Sequence, residues 1–183
     1  MVELDGRVAI VTGGGRGLGR EHALLLAAGG ARVVVNDRGV GNDGSGGDNA
    51  PSEEVAAEIR ASGGEAITNF DDVGSWEGAR ALVAAAVDEF GDLDILVNNA
   101  GILRDSALVN MTEDDFDEVV RIHLKGHFAP TKWAAVHWRE QHKAGVERRR
   151  NVVHTSSTSG LYANPGQTNY GPAKSGIVTF SQI

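Results

Sequence analysis

The stretch RVAIVTGGGRGLGREHALLLAAGGARVVVND (residues 7–37) decides the fold. RVAIVTG (7–13) is an apolar, β-branched run with the length of a buried strand. A glycine turn follows, then a helical segment from about Leu18 to Ala28 that stops at Gly29 and Gly30. ARVVVND (31–37) is a second strand of the same kind. Strand, glycine turn, helix and strand make a βαβ unit, and strands apolar on both faces need helices on both sides of a parallel sheet.

The alternation continues along the chain. A Gly/Asn/Asp loop fills 38–50, Pro51 and Ser52 open a helix to about Ser62, and EAITNFD (65–71) is the third strand. SWEGARALVAAAVDEF (75–90) is a helix stopped by Gly91, and LDILVNNAG (93–101) is the fourth strand. Residues 112–144 carry two helical stretches, the first opened by Thr112 with acids in its first turn; NVVHTSS (151–157) is the fifth strand. No repeat and no interdomain linker interrupts the pattern. The expected fold is α/β, a doubly wound parallel sheet of Rossmann type, in a single domain over 1–183. Such sheets bind ligands at the carboxyl ends of their strands, which is where the chemistry is to be sought.

Composition narrows the function. With 183 residues the chain can bury a substantial core, and without cysteine it has neither disulfides nor thiolate chemistry. A net charge of −8 disfavours non-specific binding to nucleic acid or an anionic membrane. The run ERRR (147–150) reads as a solvated loop or helix end, and the longest apolar run, ALLLAA (23–28), is far too short to span a bilayer. The expected location is cytoplasmic, with a peroxisomal one left open.

Two glycine clusters compete for the role of phosphate site. Gly39, Gly41 and Gly44 match G-x-G-x-x-G, but the next helix starts only near residue 51, and Asp43 and Asp48 would repel a pyrophosphate. That segment reads as a mobile surface loop. TGGGRGLG (12–19) sits directly between strand and helix: Gly13 allows the tight turn, and Gly17 and Gly19 let backbone N–H groups approach phosphates. The cofactor-binding set in this region is Gly13, Arg16, Gly17, Leu18, Gly19 and Asp37. Asp37 ends the second strand, where a carboxylate accepts hydrogen bonds from both ribose hydroxyls of NAD and repels the 2′-phosphate of NADP. NAD is therefore expected over NADP, although Arg16 and Arg38 are cations close in sequence.

Tyr170 and Lys174 stand four apart and share one helical face, with Ser157 at the end of the fifth strand. A phenol is a poor base at neutral pH, and an adjacent ammonium favours the phenolate. The tyrosine then exchanges a proton with a substrate hydroxyl or carbonyl, the serine hydrogen-bonds the same oxygen, and hydride passes to or from a nicotinamide. Pro172 falls in the first turn of this helix, where no intrahelical N–H is needed.

TGGGRGLG, NNAG (98–101), Ser157 and YGPAK, in that order, resemble the short-chain dehydrogenase/reductase family over essentially the whole chain. The resemblance implies that Asn98 braces the central strands, that Ala100 and Gly101 line the adenosine side, that Asn99 also binds the cofactor, and that Asp72 and Val73 lie near the adenine. It also implies that Ser157, Tyr170 and Lys174 are the catalytic set, with Tyr170 and Lys174 also touching the cofactor, and that the protein is a homodimer or homotetramer. VVVND, NNAGILRD, HLKGHF and GQTNYGPAK are similar to the (3R)-hydroxyacyl-CoA dehydrogenase module of multifunctional β-oxidation enzymes, which implies an acyl-CoA thioester substrate. The alternatives are a 3-oxoacyl carrier-protein reductase, whose usual NADP preference Asp37 opposes, a steroid dehydrogenase, or a nucleotide-sensing scaffold without catalysis.

His123 departs from the family, which carries asparagine there to hold a helix irregularity and a proton-relaying water. His123 and His127 are four apart but lack the glutamate or third ligand of a zinc site, so no metal is expected. His154 reads as a packed strand residue, Trp133 and Trp138 as helix packing or subunit interface, and Asn169 as a helix cap. Family domains are longer, so two further strands and the substrate lid are expected to lie beyond residue 183, leaving an apolar sheet edge here.

Overall fold

The computed structural model describes residues 3–183. Five parallel strands, β1 (Val8–Thr12), β2 (Arg32–Asn36), β3 (Ala66–Asn69), β4 (Ile95–Asn98) and β5 (Asn151–His154), lie in the order β3-β2-β1-β4-β5. In-register pairs such as Ile10 with Val34 and Leu96 hold the centre together. The order reverses between β1 and β4, which opens a crevice at their carboxyl ends.

Alternation along β1 explains why both faces are covered. Ala9 and Val11 point to one apolar layer, with Ala23 of α1 (Gly17–Ala28) and Val55, Ala56 and Ile59 of α2 (Ala50–Ala61). Val8 and Ile10 point to the other, with Leu82, Val83, Ala86 and Phe90 of α3 (Trp76–Phe90) and Ala134 of α5 (Gly126–Lys143). Each fully buried Val or Ile stabilises the fold by about 1.5–3 kcal/mol. The doubly wound sheet expected from the sequence is the one observed.

Helix ends follow local chemistry. Ser75 caps α3 by accepting from Gly78 N–H at 3.1 Å, and Gly91 ends it in the left-handed region. Thr112 and Asp115 form a capping box on α4 (Glu113–Val120). The two helical stretches expected over 112–144 are continuous: a π-helical turn, Arg121–Lys125, joins α4 to α5. A one-turn helix, α6 (Ser159–Tyr162), precedes α7 (Tyr170–Phe180) and was not legible beforehand.

Two expectations need correction. The ERRR run is not simply solvated: Arg148 and Arg150 turn onto Asp92 and Asp94 at the amino end of β4, where Arg150 lies 2.9 and 3.0 Å from the two carboxylates. Arg7 joins them at 3.1 Å, and Asp94 is fully buried, so these arginines neutralise charge taken from water. The loop 38–50 is not a free surface loop. Leu103 N–H donates to Asn42 O (2.6 Å), Arg104 Nε to Asp43 O (2.8 Å) and Arg16 Nη1 to Val40 O (3.3 Å), so it is pinned across the crevice. β5 is one of the two edge strands, and Val153 on it is 46% exposed.

Candidate active site

The site begins at the turn after β1. Gly13 is left-handed (φ 63°), and a Cβ there would lie 2.8 Å from Ala100 Cα, so glycine lets β1 and β4 exits close together. Gly19 likewise leaves no room between Gly13 O and Asn99. Gly17, also left-handed (φ 52°), has open space where a side chain would go. The amino end of α1 carries no side-chain cap and no acid in its first turn, so its free N–H groups and the positive end of the helix dipole are available to an anion.

These elements frame a cavity of about 280 Å³ lined by Gly13, Arg16, Gly17, Asp37, Asp72 and Ala100, among others. Val73, Asn99 and Gly101 also reach it. Leu18 and Gly19 do not: Leu18 is exposed, and Gly19 is packed beneath the turn. Asp37 accepts from Gly15 N–H (2.9 Å) and Gly39 N–H (2.7 Å), which fixes the carboxylate and leaves it lone pairs for a ligand. Asn99 stitches the floor, its Nδ2 donating to Thr12 O and Gly13 O at 3.2 Å each. Open space at Gly17, an uncapped helix end and a fixed carboxylate fit a dinucleotide.

The second half of the site is carried by α7. Tyr170 occupies its first turn and Lys174 the next, with Nζ 5.6 Å from the phenol ring centre. Lys174 is buried, its Nζ donates to Thr155 O (2.6 Å), and burial lowers its pKa to about 8. Ser156 Oγ donates to Lys174 O at 3.0 Å, so the chain leaving β5 is tied to this helix. Ser157 follows directly and accepts from Ser159 N–H at 3.2 Å. The serine, tyrosine and lysine named from the sequence therefore converge on one region, which lies outside the cavity lining.

His123 sits in the π-turn behind Tyr170. Its ring meets the phenol edge-on at 4.9 Å, and Nε2 lies 2.7 Å from Ile102 O. Nδ1 is buried without a partner among the described residues. Burial, then the nearby Lys174 charge, lowers its pKa to about 4, so the ring is neutral at physiological pH. His127 turns elsewhere, stacking on His154 at 5.6 Å, away from the contacts of His123. His154 is half-buried, 3.3 Å from the Asn98 amide. Asn98 is fully buried and donates to Thr131 Oγ1 (2.9 Å), bracing β4 against α5.

The short chain dehydrogenase family model matches residues 7–183. The chain belongs to the short-chain dehydrogenase/reductase family. A crystal structure of a short chain dehydrogenase from Mycobacterium avium superposes with a TM-score of 0.90 at 52% identity, covering 97% of this chain and 61% of that one. The peroxisomal multifunctional enzyme type 2 of Mus musculus is 44% identical over 97% of this chain and 23% of its own length. The hydroxyacyl-CoA dehydrogenase ChsB1 of Mycobacterium tuberculosis is 42% identical over 98% of this chain and 56% of its own. The chain thus spans about three fifths or less of the length of these short-chain dehydrogenase/reductase relatives. The likeness to multifunctional and hydroxyacyl-CoA enzymes read from the motifs is borne out.

Several residues that shape the site were missed. Thr12 accepts from Asn99 N–H (2.9 Å) and Ala100 N–H (3.0 Å); a polar residue closing an apolar strand was its only signal. Asn36 Nδ2 donates to Asn69 Oδ1 (2.8 Å) and Asp71 O (3.0 Å), aligning the ends of β2 and β3. Arg121 reaches the cavity from the π-turn, and Val40, Gly41, Asn42 and Gly44 roof it, which only the long-range contacts of the loop reveal.

Proposed function

We propose that residues 1–183 form the nucleotide-binding and catalytic portion of an NAD-dependent dehydrogenase that interconverts a secondary alcohol and a ketone. The observation that carries this is the buried Lys174 ammonium beside the Tyr170 ring, together with a cavity lined by the Asp37 carboxylate. A bound nicotinamide supplies the hydride acceptor. In the oxidative direction the phenolate of Tyr170 takes the proton of the substrate hydroxyl as the carbon gives up its hydride, and Ser157 Oγ–H donates to the same oxygen. Lys174 is cationic below about pH 8 and stabilises the phenolate; Thr155 O holds it in place. Gly13, Arg16 and Gly17 would receive the pyrophosphate, with Leu18 and Gly19 shaping the turn from outside the cavity; Asp72, Val73, Asn99, Ala100 and Gly101 would receive the adenosine, and Tyr170 and Lys174 the nicotinamide ribose.

The substrate best supported is a 3-hydroxyacyl-CoA, because relatives at 42–44% identity carry multifunctional peroxisomal and hydroxyacyl-CoA dehydrogenase names. The active assembly in this reading is a homodimer or homotetramer. Tyr170→Phe tests the reaction: NAD affinity should stay within about twofold while turnover falls at least about 100-fold, since only the proton-transfer group is lost. Turnover is read as NADH formation with a 3-hydroxyacyl-CoA, and near-normal rates in the variant would refute the assignment.

A further inference from the structure

Beside Asp37 stands Arg38, and a guanidinium next to that carboxylate is well placed to receive a 2′-phosphate. The structure pairs it with another carboxylate. Arg38 Nη1 lies 3.1 Å from Asp72 Oδ2, and Arg121 Nη1 lies 2.8 Å from the same oxygen. Asp72 is itself fixed, its Oδ1 accepting from Gly74 N–H at 2.8 Å. Arg121 is further clamped by Glu118, with both contacts at 2.9 Å. The last arginine lining the cavity, Arg16, donates to Val40 O. Each cavity-lining arginine is thus engaged with protein, although Arg38 is 45% exposed and free to swing if released.

We propose that Asp72 is a specificity-determining residue that enforces NAD selectivity by holding Arg38 away from the ribose 2′ position. Asp37 repels a 2′-phosphate directly; Asp72 withholds the cation that would offset that repulsion. Selectivity then has two parts carried by two carboxylates, one acting on the ligand and one acting through Arg38. This rests on the NAD reading above, but it concerns a change in selectivity and not its absolute sense.

The test is isothermal titration of the full chain with 5′-AMP and 2′,5′-ADP, a pair that isolates the 2′-phosphate, repeated with NAD and NADP. Asp72→Asn keeps the shape and the acceptor for Gly74 while removing the charge that pairs with Arg38. It should shift the Kd ratio at least about fivefold toward the 2′-phosphorylated ligand, the size of one exposed charge-assisted hydrogen bond. Asp72→Asn/Arg38→Gln should return the ratio to the wild-type value. Arg38→Gln alone should leave the ratio unchanged, because Arg38 is already paired with Asp72. The proposal is overturned if Asp72→Asn leaves the ratio unmoved, if the shift persists without Arg38, or if Arg38→Gln alone changes it fivefold. A wild-type chain that prefers 2′,5′-ADP would instead defeat the NAD reading, and the responses of the variants would still decide the role of Asp72.

Discussion

Asn169 uses both amide N–H donors and its amide oxygen to set the position of the tyrosine that follows it. Its Oδ1 accepts from Tyr170 N–H (2.7 Å), and its Nδ2 donates to Arg104 O (3.0 Å) and Asp115 O (3.1 Å). The side chain is fully buried, so each bond is made away from water. Asn169→Asp preserves the volume but points an oxygen at two carbonyl oxygens. An ionised carboxylate there is repelled by both, and a protonated one can satisfy only one. The variant should lose roughly 3 kcal/mol of stability, measured by urea unfolding, with a loss below about 1 kcal/mol refuting the account. The cap on α7 was legible because asparagine before a helix has a local meaning. The tie to residues 104 and 115 was not, since no local pattern specifies a partner more than fifty positions away.

At the scale of elements, β-branched runs and glycine stops marked the strands and longer helices because their periodicities are local consequences of packing. The π-turn is different. It is one extra residue in a continuous helix, and periodicity does not resolve it. It places His123 against Ile102 and Tyr170 while Arg121 reaches Asp72, so one irregularity serves both halves of the site. The loop between β2 and α2 shows the limit of composition: glycine and aspartate suggested mobility, whereas Arg104 and Leu103 fasten it over the cavity. Arg104 is also held by Asp114 at 2.5 Å. Arg104→Ala should therefore raise amide hydrogen exchange in residues 39–48 and weaken NAD binding roughly three- to tenfold, as one charge-assisted contact to a loop is lost. Unchanged exchange in that loop would show that Arg104 does not fasten it.

Across the whole molecule, the doubly wound sheet was legible since strands apolar on both faces leave few other architectures. What the sequence did not disclose is how many titratable groups the fold buries. Burial lowers the pKa of His123 to about 4 and of His127 to about 3, in each case with the Lys174 charge adding to it. An unfolded chain takes up protons on both rings near pH 6.5, whereas the native state does not until well below that. The unfolded state thus binds more protons as pH drops, and native stability falls from about pH 6.5 downward until the folded pKa values are reached. Asp92 acts in the same sense at lower pH: although burial opposes it, hydrogen bonds from Arg150 and His137 hold its pKa below the usual value, so the stability it contributes is lost as it protonates. Two histidines imply a slope of roughly 2.7 kcal/mol per pH unit between about pH 5.5 and 4.5, before the carboxylates dominate. Urea unfolding across this range should show that slope, and His127→Asn should remove about half of it while leaving the His123 contribution in place. A slope near zero in the parent chain would mean that these imidazoles are protonated in the native state, with their buried positions relieved by water or a compensating anion.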